Sequence, residues 1–179
     1  MSKQAFPLGK VYSLLEPGPV VLLVTAGAKR PNVMPMSWLT MLEFEPPLVG
    51  IVVSQNNYSF GLLAEGKACS LNIPTAELAE QVVGCGNCSG REVDKFARFG
   101  LTTRPAQTMA PPLLEQCYAS LECRLVDASM AERYNLFVLE VVQALGGPDG
   151  QGGANAASPW LWYVHAGLSN EITLPSRMK

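Results

Sequence analysis

The sequence predicts a mainly β domain with helices at its periphery, and three patterns carry that expectation. Short apolar runs rich in β-branched residues recur at residues 20–25 (V-V-L-L-V-T), 48–54 (L-V-G-I-V-V-S) and 68–73 (A-C-S-L-N-I), each bounded by turn-forming residues. Residues 117–126 and 135–145 are longer runs whose alternation suits a hairpin pair. Helical patterns are short and fall between these runs.

Taken in order, residues 8–16 read as a short strand or a turn, and Pro17-Gly18-Pro19 forbids regular pairing after them. The run at 20–25 has the composition of a strand buried on both faces. A turn containing Gly27 leads into its hairpin partner, residues 31–40 (P-N-V-M-P-M-S-W-L-T). This partner carries more polar atoms than a core strand needs: Asn32, Ser37 and Thr40 lie among Val33, Met34, Met36, Trp38 and Leu39. Pro35 cannot donate to a ladder, which places the segment at a sheet edge or bulge with main-chain N–H groups left free. An apolar slot with fixed donors along its rim suits a planar ring such as isoalloxazine. The same residues also suit a plain edge strand with a bulge.

After the strand at 48–54 comes a polar cluster, Ser54-Gln55-Asn56-Asn57-Tyr58-Ser59, and then a helical pattern from Phe60 to Glu65 that Gly66 should end. Hydroxyls and unpaired N–H groups at a helix start bind phosphate, although ordinary capping by Asn57 or Ser59 would use the same atoms. Beyond the strand at 68–73, Thr75 can cap a helix reaching about Val83. Ser89-Gly90-Arg91-Glu92 has the form of a capping box, predicting a helix from there toward Gly100. On that helix Val93, Phe96 and Phe99 would face the core, while Arg91, Lys95 and Arg98 would form a basic stripe suited to a phosphate or to solvent. Residues 101–112 read as a loop, and residues 146–157 (G-G-P-D-G-Q-G-G-A-N-A-A) as a flexible one. The aromatic segment 159–165 (P-W-L-W-Y-V-H) suits a lid, an interface anchor or a late strand.

The totals narrow the function. At 179 residues the chain is expected to be one domain, 1–179. With 48 % hydrophobic and 16 % charged residues its charged surface is sparse, which points to a partner subunit. A net charge of −2 supplies no basic field for nucleic acid or an anionic membrane. The N-terminal segment lacks an apolar h-region and no run is long enough to span a bilayer, so a cytoplasmic location is expected. In that compartment the five cysteines read as free thiols. No G-x-G-x-x-G follows a strand and no P-loop or G-x-S-x-G elbow occurs. Cys85-x-x-Cys88 lacks a second ligand pair for zinc and lies between helical segments rather than at a helix start, so neither metal nor dithiol function is expected.

The ordered set P-V-V-L-L-V-T, P-N-V-M-P-M-S-W, P-P-L-V-G-I-V-V-S, S-L-N-I-P and C-G-N-C-S-G-R-E-V-D-K-F, spanning residues 8–145, resembles the flavin reductase-like, FMN-binding split-barrel family and its flavoredoxin-like branch. The resemblance implies a six-stranded antiparallel Greek-key split β-barrel acting as a homodimer with FMN near the interface. It implies that Asn32, Met34, Met36, Ser37 and Trp38 line the ring and that Ser54, Asn56, Tyr58 and Ser59 hold the phosphate and ribityl chain. It further implies that Asn72 lies beside the flavin and that Lys95 meets the phosphate or N1 of the reduced flavin, where a cation would raise the reduction potential. Cys88 has no counterpart role, and the segment holding His165 is only loosely similar. The expected function is an FMN oxidoreductase taking electrons from NADH or NADPH to free flavin, a protein or another acceptor. With the chemistry at the flavin, no catalytic side chain is required. The alternatives are a flavoredoxin-like FMN electron carrier for a partner redox protein, with Glu43 and Glu45 as contacts, and a flavin-free member of the fold.

Overall fold

The computed structural model describes residues 19–146. The expectations for residues 8–16, for the Gly-rich segment beyond Gly146 and for residues 159–165 with His165 lie outside the described residues.

The first strand, β1 (Val21–Thr25), is buried at every position, as its unbroken apolar run requires. It pairs with β2 (Asn32–Met36), Leu22 standing opposite Pro35. The stretch read as one strand over 31–40 is in fact two. Ser37 and Trp38 interrupt it, and β3 (Leu39–Glu43) belongs to a different hairpin, with β4 (Leu48–Val52). The remaining strands of the sheet are β5 (Ala68–Ile73), β8 (Ala119–Asp127) and β9 (Leu136–Leu145). Between β5 and β8 the loop predicted over residues 101–112 carries β6 (Thr103–Arg104), which pairs with β7 (Leu113–Leu114) just past its end.

The sheet has seven strands in the order β2-β1-β5-β8-β9-β4-β3, all antiparallel. Its two edges, β2 and β3, are consecutive in sequence. Laid flat, seven strands would hold their edges about 29 Å apart at roughly 4.8 Å per gap, yet Met36 and Leu39 are joined by a span of at most about 11 Å. The sheet must therefore curl until its edges meet. No ladder joins β2 to β3, so the result is a split barrel in a Greek-key order. It counts seven strands rather than six because the broken stretch contributes one strand to each edge.

Alternation sorts the side chains into two cores. Inside the barrel lie Leu23, Val49, Ile51, Leu71, Phe137 and Leu139, with Phe60 meeting the buried Phe137 edge-on at 5.0 Å. Outside it, Leu22, Val24 and Val33 pack against Leu78, Val82 and Leu101. Each such side chain contributes about 1.5–3 kcal/mol by burial.

Among the described residues four helices decorate the barrel: α1 (Tyr58–Gly66), α2 (Ala79–Gly86), α3 (Lys95–Phe99) and α4 (Ala131–Tyr134). A 3-10 turn at Ala76–Leu78 precedes α2. The capping-box expectation is corrected: Ser89 starts a turn, its carbonyl accepting from Glu92 N and Val93 N, and the helix begins only at Lys95. The cap is Asp94, whose Oδ1 accepts from Ala97 N at 3.1 Å. A helix from Ser89 would place Gly90, a poor helix former, in its first turn. With Arg91 outside the helix and Lys95 buried, the predicted basic stripe does not exist, and Arg98 rests instead over Phe99 at 5.6 Å.

Candidate functional site

A cavity of about 590 Å³ opens between edge strand β2, the start of α1 and the turn after α2, with Met34, Pro35, Asn56, Tyr58 and Gly90 in its walls. That volume lies in the range of cofactor sites. Pro35 fulfils its expected role: it occupies an edge strand, and the edge faces the cavity.

The cavity wall carries positive charge. Lys95 reaches it from the first position of α3 and is only 5 % exposed, its Nζ donating to the Cys85 carbonyl oxygen at 2.7 Å. An ammonium has three donors, so one hydrogen bond leaves it under-satisfied. No carboxylate pairs with it, the sole ion pair among the described residues being Arg124–Glu140. Burial lowers the Lys95 pKa, the opposing pull coming from Cys88 and Cys85. Nearby, α1 starts at the cavity without a side-chain cap: Asn57 holds the N-cap position but makes no capping hydrogen bond. Phe60 N donates to the Asn57 carbonyl, and the N–H groups of Tyr58 and Ser59 with the positive end of the helix dipole are left for a ligand. Arg91 adds a further cation, its guanidinium 5.3 Å from the Tyr58 ring centre and donating to the Asn56 carbonyl.

A second polar feature lies deeper. Asn32 is 4 % exposed; its Nδ2 donates to Ser59 Oγ at 2.8 Å, while its Oδ1 has no hydrogen-bond partner. An orphaned buried acceptor on a cavity wall fits a ligand N–H. Gly90 closes over it, and a Cβ at that position would overlap the Asn32 side chain. Arg30 Nη2 fixes the Gly90 carbonyl at 3.2 Å.

Of the expected site residues, Asn32, Met34, Asn56, Tyr58 and Lys95 come together in this cavity. Ser59 lies one layer beneath as the partner of Asn32, and Ser54 buttresses the loop, its Oγ accepting from Asn56 N at 3.2 Å. The others are elsewhere. Met36 is in the barrel core, and Ser37 and Trp38 form the seam between the sheet edges, where the Trp38 carbonyl accepts from Val52 N. Asn72 is a structural hub: Nδ2 donates to Leu22 O and Ser70 Oγ, and Oδ1 accepts from Leu114 N and Ser120 Oγ. Its hydrogen-bonding capacity is filled within the protein, leaving none for a flavin. Sequence reasoning missed Arg30, whose role depends on a contact with Gly90 across 60 residues. It also missed Gly90, which only the position of Asn32 explains.

Fold and site together define a split-barrel protein with a cavity at its open edge and a buried lysine in the cavity wall. Residues 14–167 match the flavin reductase like domain, and the chain belongs to that family. An uncharacterized Escherichia coli protein, YddH, is 35 % identical over 135 residues, 73 % of this chain and 71 % of its own. Among solved structures, an FMN-binding protein from Thermus thermophilus with bound 1-cyclohex-2-enone is 28 % identical, with a TM-score of 0.71 over 84 % of this chain and 81 % of its own. Flavoredoxin from Methanosarcina acetivorans is 26 % identical, with a TM-score of 0.72 over 83 % and 77 % of the respective chains.

Proposed function

We propose that the chain binds FMN in this cavity and acts as an oxidoreductase of flavin-reductase type, passing electrons from NADH or NADPH through FMN to free flavin, a protein or another acceptor. The observation that carries this reading is the buried Lys95 ammonium without a carboxylate, set with the uncapped start of α1 in one cavity. Such a site is complete only with an anion, and the FMN phosphate or the electron-rich edge of its ring meets that need.

Bound FMN supplies the electron-transfer chemistry. The residues orient it and tune its charge. Lys95 offers the N–H donors that Cys85 does not take, and Arg91 and the first turn of α1 add positive potential at the same end. Met34 and Pro35 give an apolar surface to a ring face. These roles need no side-chain acid or base. Ser37 and Trp38 belong to the ring wall only if a second copy brings its seam to the cavity, and we propose a homodimer on that basis. The exposed Trp38, Met41, Leu42 and Phe44 beside the seam supply the apolar surface. We assign the reaction to the cytoplasm, where the cysteines remain reduced.

Among the described residues no helix is long and apolar enough to cross a membrane. The similarity to a flavoredoxin favours a second reading, a carrier that keeps its FMN and exchanges electrons with a partner protein. The visible spectrum after adding FMN, followed by anaerobic NADH and then NADPH, separates the two. Bleaching by either nicotinamide supports the reductase, and retained FMN that neither bleaches supports the carrier. Failure to take up FMN refutes both.

A further inference from the structure

The sequence gives no reason to expect a function for Cys85 and Cys88, but the structure places them in a revealing setting. Both line the cavity beside Lys95. Helix α2 continues through Cys85 to Gly86, and Cys88 folds back against the last turn, its Sγ 3.4 Å from the Gly84 carbonyl four residues earlier. Cys88 lies in the bend just past the helix, and this contact brings its sulfur back over the turn that carries Cys85. A disulfide needs Cβ atoms about 3.5–4.5 Å apart, and movement of the turn at 87–90 would close the bond.

The two thiols have unequal surroundings. Cys88 is partly exposed, whereas Cys85 is 1 % exposed and burial pushes its thiol up to about 12, against the Lys95 charge. The order of attack follows from access: Cys88 meets a reagent first and Cys85 resolves. Cys69 and Cys123 also face each other, across β5 and β8, but both are fully buried in the barrel, out of reach of any reagent.

We propose that Cys85 and Cys88 form a reversible dithiol–disulfide site in the cavity wall, oxidised by small-molecule disulfides of the glutathione class, and that its oxidation weakens FMN binding. The Cys88 thiolate attacks the reagent's S–S bond, forming a mixed disulfide and releasing one small thiol. Cys85, as its thiolate, then attacks the Cys88 sulfur and releases the second. The two protein thiols lose two electrons and two protons, and the reagent disulfide is reduced to two thiols. Closing the bond moves the turn that carries Gly90 and Arg91, and alters the Cys85 carbonyl that holds Lys95. The effect on FMN rests on the proposed function; the thiol chemistry does not.

The test uses the full chain, reduced and then incubated with glutathione disulfide, with intact mass, peptide mapping and FMN titration as readouts. The expected product has lost two hydrogens through a bond mapped to Cys85 and Cys88, binds FMN at least tenfold more weakly, and recovers on reduction. Cys85→Ser should hold a stable glutathione adduct on Cys88, and Cys88→Ser should acquire no adduct at Cys85. Cys85→Ala supplies the same comparison if the serine variant does not fold. A persistent adduct on wild-type Cys88, a bond elsewhere, or no reaction overturns the dithiol site. An unchanged FMN affinity after the bond forms overturns its coupling to the cofactor. If the reduced protein takes no FMN, the functional reading fails while the mapped bond is judged on its own.

Discussion

A lysine ammonium taken out of water without a counter-ion costs several kcal/mol, so Lys95 is a liability in the cofactor-free protein and, in the proposed FMN complex, an asset. Lys95→Met is expected to leave the melting temperature of the cofactor-free protein unchanged or higher. It should weaken FMN binding by about ten- to a hundredfold, the worth of a charge-assisted hydrogen bond. Flavin fluorescence titration and thermal melts together check this, and a falling melting temperature with unchanged affinity would make Lys95 structural. The pH dependence has a definite sign. Burial lowers the Lys95 pKa, so as pH drops from about 10.4 the unfolded chain binds the proton first. This contribution to cofactor-free stability is full above the unfolded pKa and lost as pH falls through the folded one. Lys95→Met should remove that slope, which denaturant midpoints measured across alkaline pH would show. Gly90 makes the steric counterpart: Gly90→Ala would drive a methyl group into Asn32. Overpacking of that kind costs about 1–3 kcal/mol, and the loss should appear both in stability and in FMN affinity.

At the scale of elements, the segment between β6 and β7 is held at its middle by a carboxylate and at its end by Ser70, whose Oγ donates to the Pro112 carbonyl at 2.7 Å. Glu122, on β8, is fully buried; its Oε1 accepts from Gln107 N at 2.8 Å and its Oε2 from Thr108 N at 2.8 Å and Thr108 Oγ1 at 2.6 Å. Desolvation raises its pKa, but the Thr108 hydroxyl and the backbone N–H groups of Gln107, Thr108 and Met109 more than offset this, and the net shift is downward. The stabilisation is therefore present above the unfolded carboxylate pKa and lost as pH falls through the folded value. Glu122→Gln replaces an acceptor with an amide donor facing N–H groups, a loss of about 1–3 kcal/mol. Faster proteolytic cleavage within residues 105–112 at neutral pH is expected, and an unchanged cleavage rate would refute the tether. This latch was not legible in the sequence, since Glu122 and Thr108 meet only when β8 passes the loop. Local signals served better where geometry is local. The buried β1, the long β8–β9 hairpin and the edge position of Pro35 all followed from composition. Ser89 misled because the capping pattern ignores Gly90, whose place is fixed by Asn32 on another strand.

At the scale of the whole molecule, the break at Ser37–Trp38 decides the shape and underlies the proposed homodimer. A run of apolar residues carries no mark saying that its halves serve opposite edges of one sheet, so the split was invisible before the strand order was known. The same split explains why only part of the expected ring wall reaches the cavity: Met34 turns to it from β2, whereas Trp38 lies on the seam. The seam continues into β3, an edge strand with Met41 53 % and Leu42 50 % exposed, followed in the turn by Phe44, 83 % exposed. Exposed apolar edges of this kind invite pairing or aggregation unless covered. A second copy covering this face would bury those side chains and bring Ser37 and Trp38 toward a site they do not reach alone. Met41→Lys with Phe44→Lys should therefore turn a dimer into a monomer in sedimentation at micromolar concentration. If the partner completes the site, FMN affinity should fall with the dimer even though neither substituted residue lines the cavity. A wild-type monomer would dismiss the second copy, and a dissociated variant with full affinity would show that one chain holds the cofactor unaided.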